Sequence, residues 1–167
     1  MSMDSLKDIY IDQLQDIHSA NKQSAKITKK LAEAATSSDL KKALQSGVEG
    51  IEEGMKVMAE LAKSHDVDPG GEHCKGMEGL VKEAQSHALD EDFGDDDVRD
   101  AMIITQYQRM VHYGIAGYGC LSAFAKRLDL KDDAKKIDTC LDHPYEGDRH
   151  MTDLAIGPDG VNADAAS

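Results

Sequence analysis

Tryptophan is missing from this 167-residue sequence, and five tyrosines with two phenylalanines make up an aromatic content of only 4%. With hydrophobic residues at an ordinary 40%, the core has to be built from Leu, Ile, Val, Met and Ala, a palette that suits helices. Positive charge is scarce as well. Nineteen Lys and Arg face thirty-two Asp and Glu, for a formal net charge of -13, which repels phosphate backbones and anionic lipid alike and argues against nucleic acid or a membrane surface as partner. No apolar run approaches the roughly 20 residues needed to span a bilayer. Charges fall in every turn of the stretch from Met1 to Ile11, unlike a secretion signal, so a cytoplasmic protein is expected. The three cysteines, Cys74, Cys120 and Cys140, are far apart and form no Cys-x-x-Cys pair; this excludes a zinc ribbon or dithiol redox motif and leaves buried or half-buried free thiols. No Gly-rich phosphate loop follows a strand and no nucleophile motif is present, so hydrolase chemistry has no foothold.

What is present is helical period. Leu6, Tyr10, Leu14, Ile17, Ile27 and Leu31 recur at steps that place them on one face of a helix running from Met3 to about Ala35. Thr36-Ser37-Ser38-Asp39 is a break rich in capping side chains, and Leu40, Leu44, Val48, Ile51, Met55, Met58 and Leu61 restart the period to about His65. Pro69-Gly70-Gly71 marks a loop, after which a short helix is expected from about Lys75 to Leu89. Asp95, Asp96 and Asp97 supply the negative charge that a helix N-terminus favours, and a third long helix follows from about Val98 to Arg127. A fourth, from Lys131 to about Ala155, is expected to be interrupted by Pro144. The expected organisation is one bundle over residues 1–156 and a disordered tail over 157–167, where there is little to bury. The acidic run beginning at Asp90 is not an EF-hand, because its sixth and twelfth positions are Asp95 and Ala101 where glycine and glutamate are required.

Five strings, in order, resemble the bacterial YciF-type family of ferritin-like proteins. They are Asp16 to Gln23, Ala34 to Ser37, Cys74 to Leu80, Arg99 to Ala101, and Gln108 to Tyr118. The likeness runs from Leu6 to Leu154 and implies an all-α, up-down four-helix bundle with a long crossover carrying a short extra helix. It also implies a stress-related setting, a homodimer, and a centre in which inward carboxylates hold two iron or manganese ions.

At that centre the sequence departs from the family. A family Ala-Glu-Lys-Gln stands here as Ala20-Asn21-Lys22-Gln23, and an acidic pair with a later Gln or His aligns with Glu49-Gly50 and Gly54. A family Glu-His-Tyr-Glu is Val111-His112-Tyr113-Gly114, and Leu-Asp-Glu-Glu is Leu141-Asp142-His143-Pro144, with Asp148 retained beyond it. The positions that match family ligands but are substituted are therefore Asn21, Gly50, Gly54, Val111, Gly114, His143 and Pro144. Val, Gly and Pro side chains offer a metal nothing. Gly47, Gly50 and Gly54 share one face of the second helix, while Gly114 and Gly117 lie in the third. They mark either close helix packing or a pocket where a metal centre is implied. Tyr107, Tyr113 and Tyr118 either pack and make dimer contacts or would hydrogen-bond beside a metal.

The reading that follows is a non-catalytic, dimeric binding or structural bundle with no cofactor and no assigned catalytic residue. The alternative is a di-metal oxidase or peroxide-handling protein using two iron or manganese ions on Glu49, Glu53, His112, His143 and Asp148. In it Glu49 and Glu53 are one turn apart and His112 reaches His143 or Asp148 across the bundle. A third reading is an adaptor that offers its acidic faces to a basic protein partner.

Overall fold

The first helix begins where a capping box can form. Ser5 Oγ accepts from the Asp8 backbone N–H at 3.2 Å, and the Asp8 carboxylate accepts from the Ser5 N–H at 2.8 Å, so two orphan donors are satisfied reciprocally. In the computed structural model, which describes residues 3–167, this helix is α1 (Leu6–Ala34). The first two residues of the expected bundle lie outside the described ones. α2 (Ser38–Ser64) is capped by Ser37, α3 (Lys75–Ala84) by Cys74, and α4 (Asp96–Arg127) by Asp95, whose carboxylate accepts from the N–H groups of Asp97 and Val98. α5 spans Lys131–Ile156 and α6 Val161–Ala165. No strand occurs among the described residues, and no helix among them is long and apolar enough to cross a membrane.

α1 packs along α2 and α4, and α5 packs along the same two helices from the other side. Tyr10 near the start of α1 donates to Asp133 near the start of α5, and His65 after α2 reaches the same carboxylate at 2.7 Å. Thr36 after α1 meets Asp100 near the start of α4. Every adjacent pair is therefore antiparallel, and the segment from His65 to Asp95 must travel the length of the bundle. This is the up-down arrangement with one long crossover. Its extra helix α3 lies against α1 and α4 and ends in a π-wound turn, Gln85–Asp90, where sequence period alone predicts continuous α-helix.

Two joints fix the crossover. Asp100, fully buried, accepts from the Thr36 N–H at 2.9 Å, the Thr36 hydroxyl at 2.8 Å and the Ser37 N–H at 2.7 Å, tying the α1–α2 turn to the first turns of α4. Near mid-bundle, Tyr113 donates to Asp16 at 2.9 Å and takes the Cys74 thiol at 2.9 Å. Ser19 Oγ accepts from the Cys74 N–H and Gln23 donates to the Cys74 carbonyl, both at 3.0 Å. α1, α4 and the start of α3 are thereby held by one polar cluster.

Two expectations are corrected. α5 is not broken at Pro144 but runs through it. The lost N–H removes one rung, yet Ile137 and Cys140 on one side and Met151 and Ala155 on the other are buried and anchor both halves. The segment after Ile156 is not without burial, because the turn at Gly157 and Gly160 is tight enough to drop Val161 (6% exposed) into the core beside α4 and α5. A Cβ on Gly160 would sit 2.8 Å from the Leu154 carbonyl oxygen, so the turn depends on glycine.

Asp100→Ala strands three donors at the end of the bundle, and urea unfolding is expected to show a loss of about 3 kcal/mol. Asp100→Asn, able to accept at one oxygen only, should fall between the two.

Candidate functional site

The bundle has two apolar cores. One gathers Leu31, Leu40, Leu44, Ile103 and Met151 with α3 and Val161; the other gathers Tyr10, Leu14, Met58, Leu61, Leu121 and Ile137. Between them lies a cavity of about 700 Å³ walled by all four long helices. It opens between α2 and α5, where Ser46, Glu49 and Glu53 face His143, Glu146 and His150, all exposed.

Six of the seven positions that the resemblance marks as substituted ligands line this cavity: Asn21, Gly50, Val111, Gly114, His143 and Pro144. His143 lies over Gly50, 3.6 Å from where a Cβ would stand. The seventh, Gly54, is buried beneath Tyr118, whose hydroxyl would collide with a Cβ there. Nothing lies within 4 Å of a Cβ placed on Gly114, so the cavity is open against that stretch of α4.

Two tyrosines of α4 take up part of the remaining space. Asn21 Nδ2 donates to the Tyr118 hydroxyl at 2.6 Å across the interior. Tyr107, 4% exposed, reaches over Gly47 of α2 toward Gly147 of α5, and its hydroxyl has no hydrogen-bond partner among the described residues. Burial pushes the Tyr107 phenol up to about 12 and raises Tyr118 further, so both stay protonated at neutral pH. Sequence reasoning left Tyr107 and Tyr118 with two roles, placed His150 on or near an inward face, and did not single out Glu146 or Gly147. A signal was present: Tyr107, Val111, Gly114 and Tyr118 recur at helical spacing on one face of α4, as His143, Gly147 and His150 do on α5. Tyr113 belongs instead to the joint with Cys74 and Asp16.

The five alternative metal ligands fall into two groups. Glu49, Glu53 and His143 stand on the cavity mouth, whereas His112 pairs with Asp148 at 2.9 Å on the α4–α5 seam and lines no part of the cavity. Among the described residues, no three His, Cys, Asp or Glu side chains are placed to hold a metal ion. The donor set does not fit the two-metal centre that the resemblance implies, since two divalent ions in a helical core need several anionic oxygens in reach of each other. Among the described residues no nucleophile is hydrogen-bonded to a base in the cavity either. What the arrangement offers is volume, apolar wall and an acidic rim.

Cys140 lines the cavity, and burial, with the charge of Glu53 adding to it, pushes its thiol up to about 11. Cys74 is buried and its thiol is raised by the same cause. Cys120, expected to be at least half-buried, is exposed, because it stands on the solvent side of α4 between the inward Tyr118 and Leu121.

The family model described as "Domain of unknown function (DUF892)" matches residues 5–166. Protein YciF of Escherichia coli strain K12 is 32% identical over 157 residues, covering 93% of this chain and 93% of that protein. Its crystal structure, described as that of a stress protein, superposes with a TM-score of 0.85 over 92% of this chain and 96% of that one. The structure of YcfI from Rhodopseudomonas palustris gives the same TM-score at 30% identity, over 93% of this chain and 99% of that one.

The two kinds of glycine should respond oppositely to alanine. Gly47→Ala meets the Tyr107 hydroxyl and is expected to lose about 1–3 kcal/mol in chemical denaturation, part of it recovered by Tyr107→Phe. Gly114→Ala meets open space and should gain about 0.5–1 kcal/mol from helix propensity. At pH 8 a disulfide-exchange reagent should titrate Cys120 rapidly, with Cys74 and Cys140 reacting only in denaturant, because a raised thiol is almost wholly protonated there.

Proposed function

The chain belongs to the DUF892 family of YciF-like proteins, and from that premise we propose that it is a non-catalytic, metal-free binding bundle. The observation that carries this reading is the chemistry of the cavity wall. At positions where the family resemblance implies metal ligands, this chain presents an amide, a valine, glycines, a proline and one histidine, His143, and among the described residues no three His, Cys, Asp or Glu side chains are placed to hold an ion. Loss of ligands on all four long helices together is not the exchange of one donor for another. Without a ligand set placed to hold an ion, and with the Cys140 thiol kept protonated by burial, the cavity is suited to selective binding. The E. coli relative is described as a stress protein, and a stress-associated role for this chain is inferred from that likeness. Assembly as a homodimer belongs to the same proposal and rests on the resemblance.

Protein purified without chelator, loaded with Fe(II) and Mn(II) and desalted, should carry far less than one metal per chain by elemental analysis. Two stoichiometric metals would overturn the reading and favour a di-metal oxidase. Light scattering should give a mass near twice the 18.1 kDa of the chain; a mass of one chain would refute the dimer.

A further inference from the structure

We propose that the central cavity takes an amphipathic amine, its apolar body enclosed by the four helices and its protonated head held by carboxylates at the α2–α5 mouth. The inference rests on the reading above that the centre takes no metal, and adds the class of ligand.

Four observations carry it. The cavity, at about 700 Å³, falls within the roughly 300–1,000 Å³ of small-molecule sites. Its deep wall is apolar and adaptable, with Ile17, Ala20, Met77, Met110, Val111 and Met151, and Met side chains reshape around differing guests. Among the described residues the Tyr107 hydroxyl, on a side chain only 4% exposed, has no hydrogen-bond partner, and Asn21 spends its Nδ2 on Tyr118 and leaves Oδ1 unmatched. Neither atom is sealed from solvent; both residues line the cavity, where they offer a guest hydrogen-bonding positions in place of water.

The fourth observation sets the sign of the charge. Glu49, Glu53 and Glu146 stand on the mouth. Among the described residues Glu49 and Glu146 have no cationic partner, and Glu53 has only Lys56 at 3.8 Å. The one lysine on the rim, Lys42, is engaged by Asp39 at 3.2 Å. His143 and His150 stand on the same mouth, and the chain as a whole carries -13. An anionic amphiphile would bring its head against the carboxylates of the mouth, whereas an ammonium would meet negative charge that the described residues leave largely uncompensated.

Decylamine, decanol and decanoate share one chain and differ in head charge, and titration calorimetry of each below its micellar concentration tests the proposal. Decylamine should bind one per chain and about tenfold or more tighter than decanoate, given the charge at the mouth. The pair Glu49→Gln and Glu146→Gln should bring decylamine to within about threefold of decanol. Gly114→Leu starts from a Cβ position with nothing within 4 Å and should cost decylamine about tenfold or more while the thermal midpoint does not fall. Gly50→Leu, from the opposite wall, should do the same and stands in if Gly114→Leu fails to fold. Equal affinity for decanoate, undiminished binding by both leucine variants, or no saturable decylamine binding would each overturn the proposal. Absence of amine binding in a protein that also loads no metal sinks this inference alone; stoichiometric metal sinks the reading beneath it.

Discussion

The architecture depends on returning α4 to the side of α1 after a crossover that spans the bundle, and a buried carboxylate does most of that work. Asp100 has no solvent exposure and takes three hydrogen bonds from the α1–α2 turn. Hydrogen bonds to a charged group contribute roughly 1.5–3 kcal/mol each, enough to offset the desolvation of the carboxylate only because several act together. The Tyr113 cluster repeats the device at mid-bundle. The Cys74 thiol meets the Tyr113 hydroxyl in this cluster, and burial disfavours its nucleophilic thiolate form. Cys74 is here a structural residue.

These joints explain why the family resemblance is legible. The strings Ala34 to Ser37 and Arg99 to Ala101 are the two halves of the Asp100 joint. Asp16 to Gln23, Cys74 to Leu80 and Gln108 to Tyr118 each supply members of the Tyr113 cluster. Likeness concentrated at such positions is likeness of fold. It carries little about the chemistry of the centre, where side chains are free to differ without loosening the crossover.

The long helices were legible because their periods are regular and three of the four start on a Ser or Asp cap, α5 starting after Leu130 without one. Alignment also pointed to positions that the structure gathers on one cavity. Three features were not legible. The π-wound turn after α3 leaves a helical pattern unchanged over so few residues. The burial of Val161 follows from a two-glycine turn whose closeness no local pattern encodes. The continuity of α5 through Pro144 depends on anchors on either side of it, which is tertiary information overriding a strong local preference. The glycines carried two readings, and both apply to different members. Gly47, Gly54 and Gly117 make room for Tyr107, Tyr118 and Ile17, whereas Gly114 faces open space. Each helical glycine costs roughly 0.5–1 kcal/mol relative to alanine, an amount the burial of a tyrosine ring readily offsets. Gly114 has no such compensation from the protein itself.

Small residues at the centre would ordinarily let the helices close, since folded interiors tolerate few voids. Here the helix separation is set elsewhere. Leu31, Leu40, Leu44 and Ile103 hold the bundle apart at one end, and Leu14, Leu61, Leu121 and Ile137 do so at the other. The Asp100 joint pins the first of these ends, and Asp133, with Tyr10 and His65 on it, pins the second. Rigid helices fixed at both ends cannot bow inward over the few turns between them without breaking those cores. The missing side-chain volume therefore remains as space, partly filled by Tyr107 and Tyr118, with a mouth where Gly50 and Gly147 thin the α2–α5 wall. Position along the bundle, more than the identity of any one residue, makes the centre a cavity.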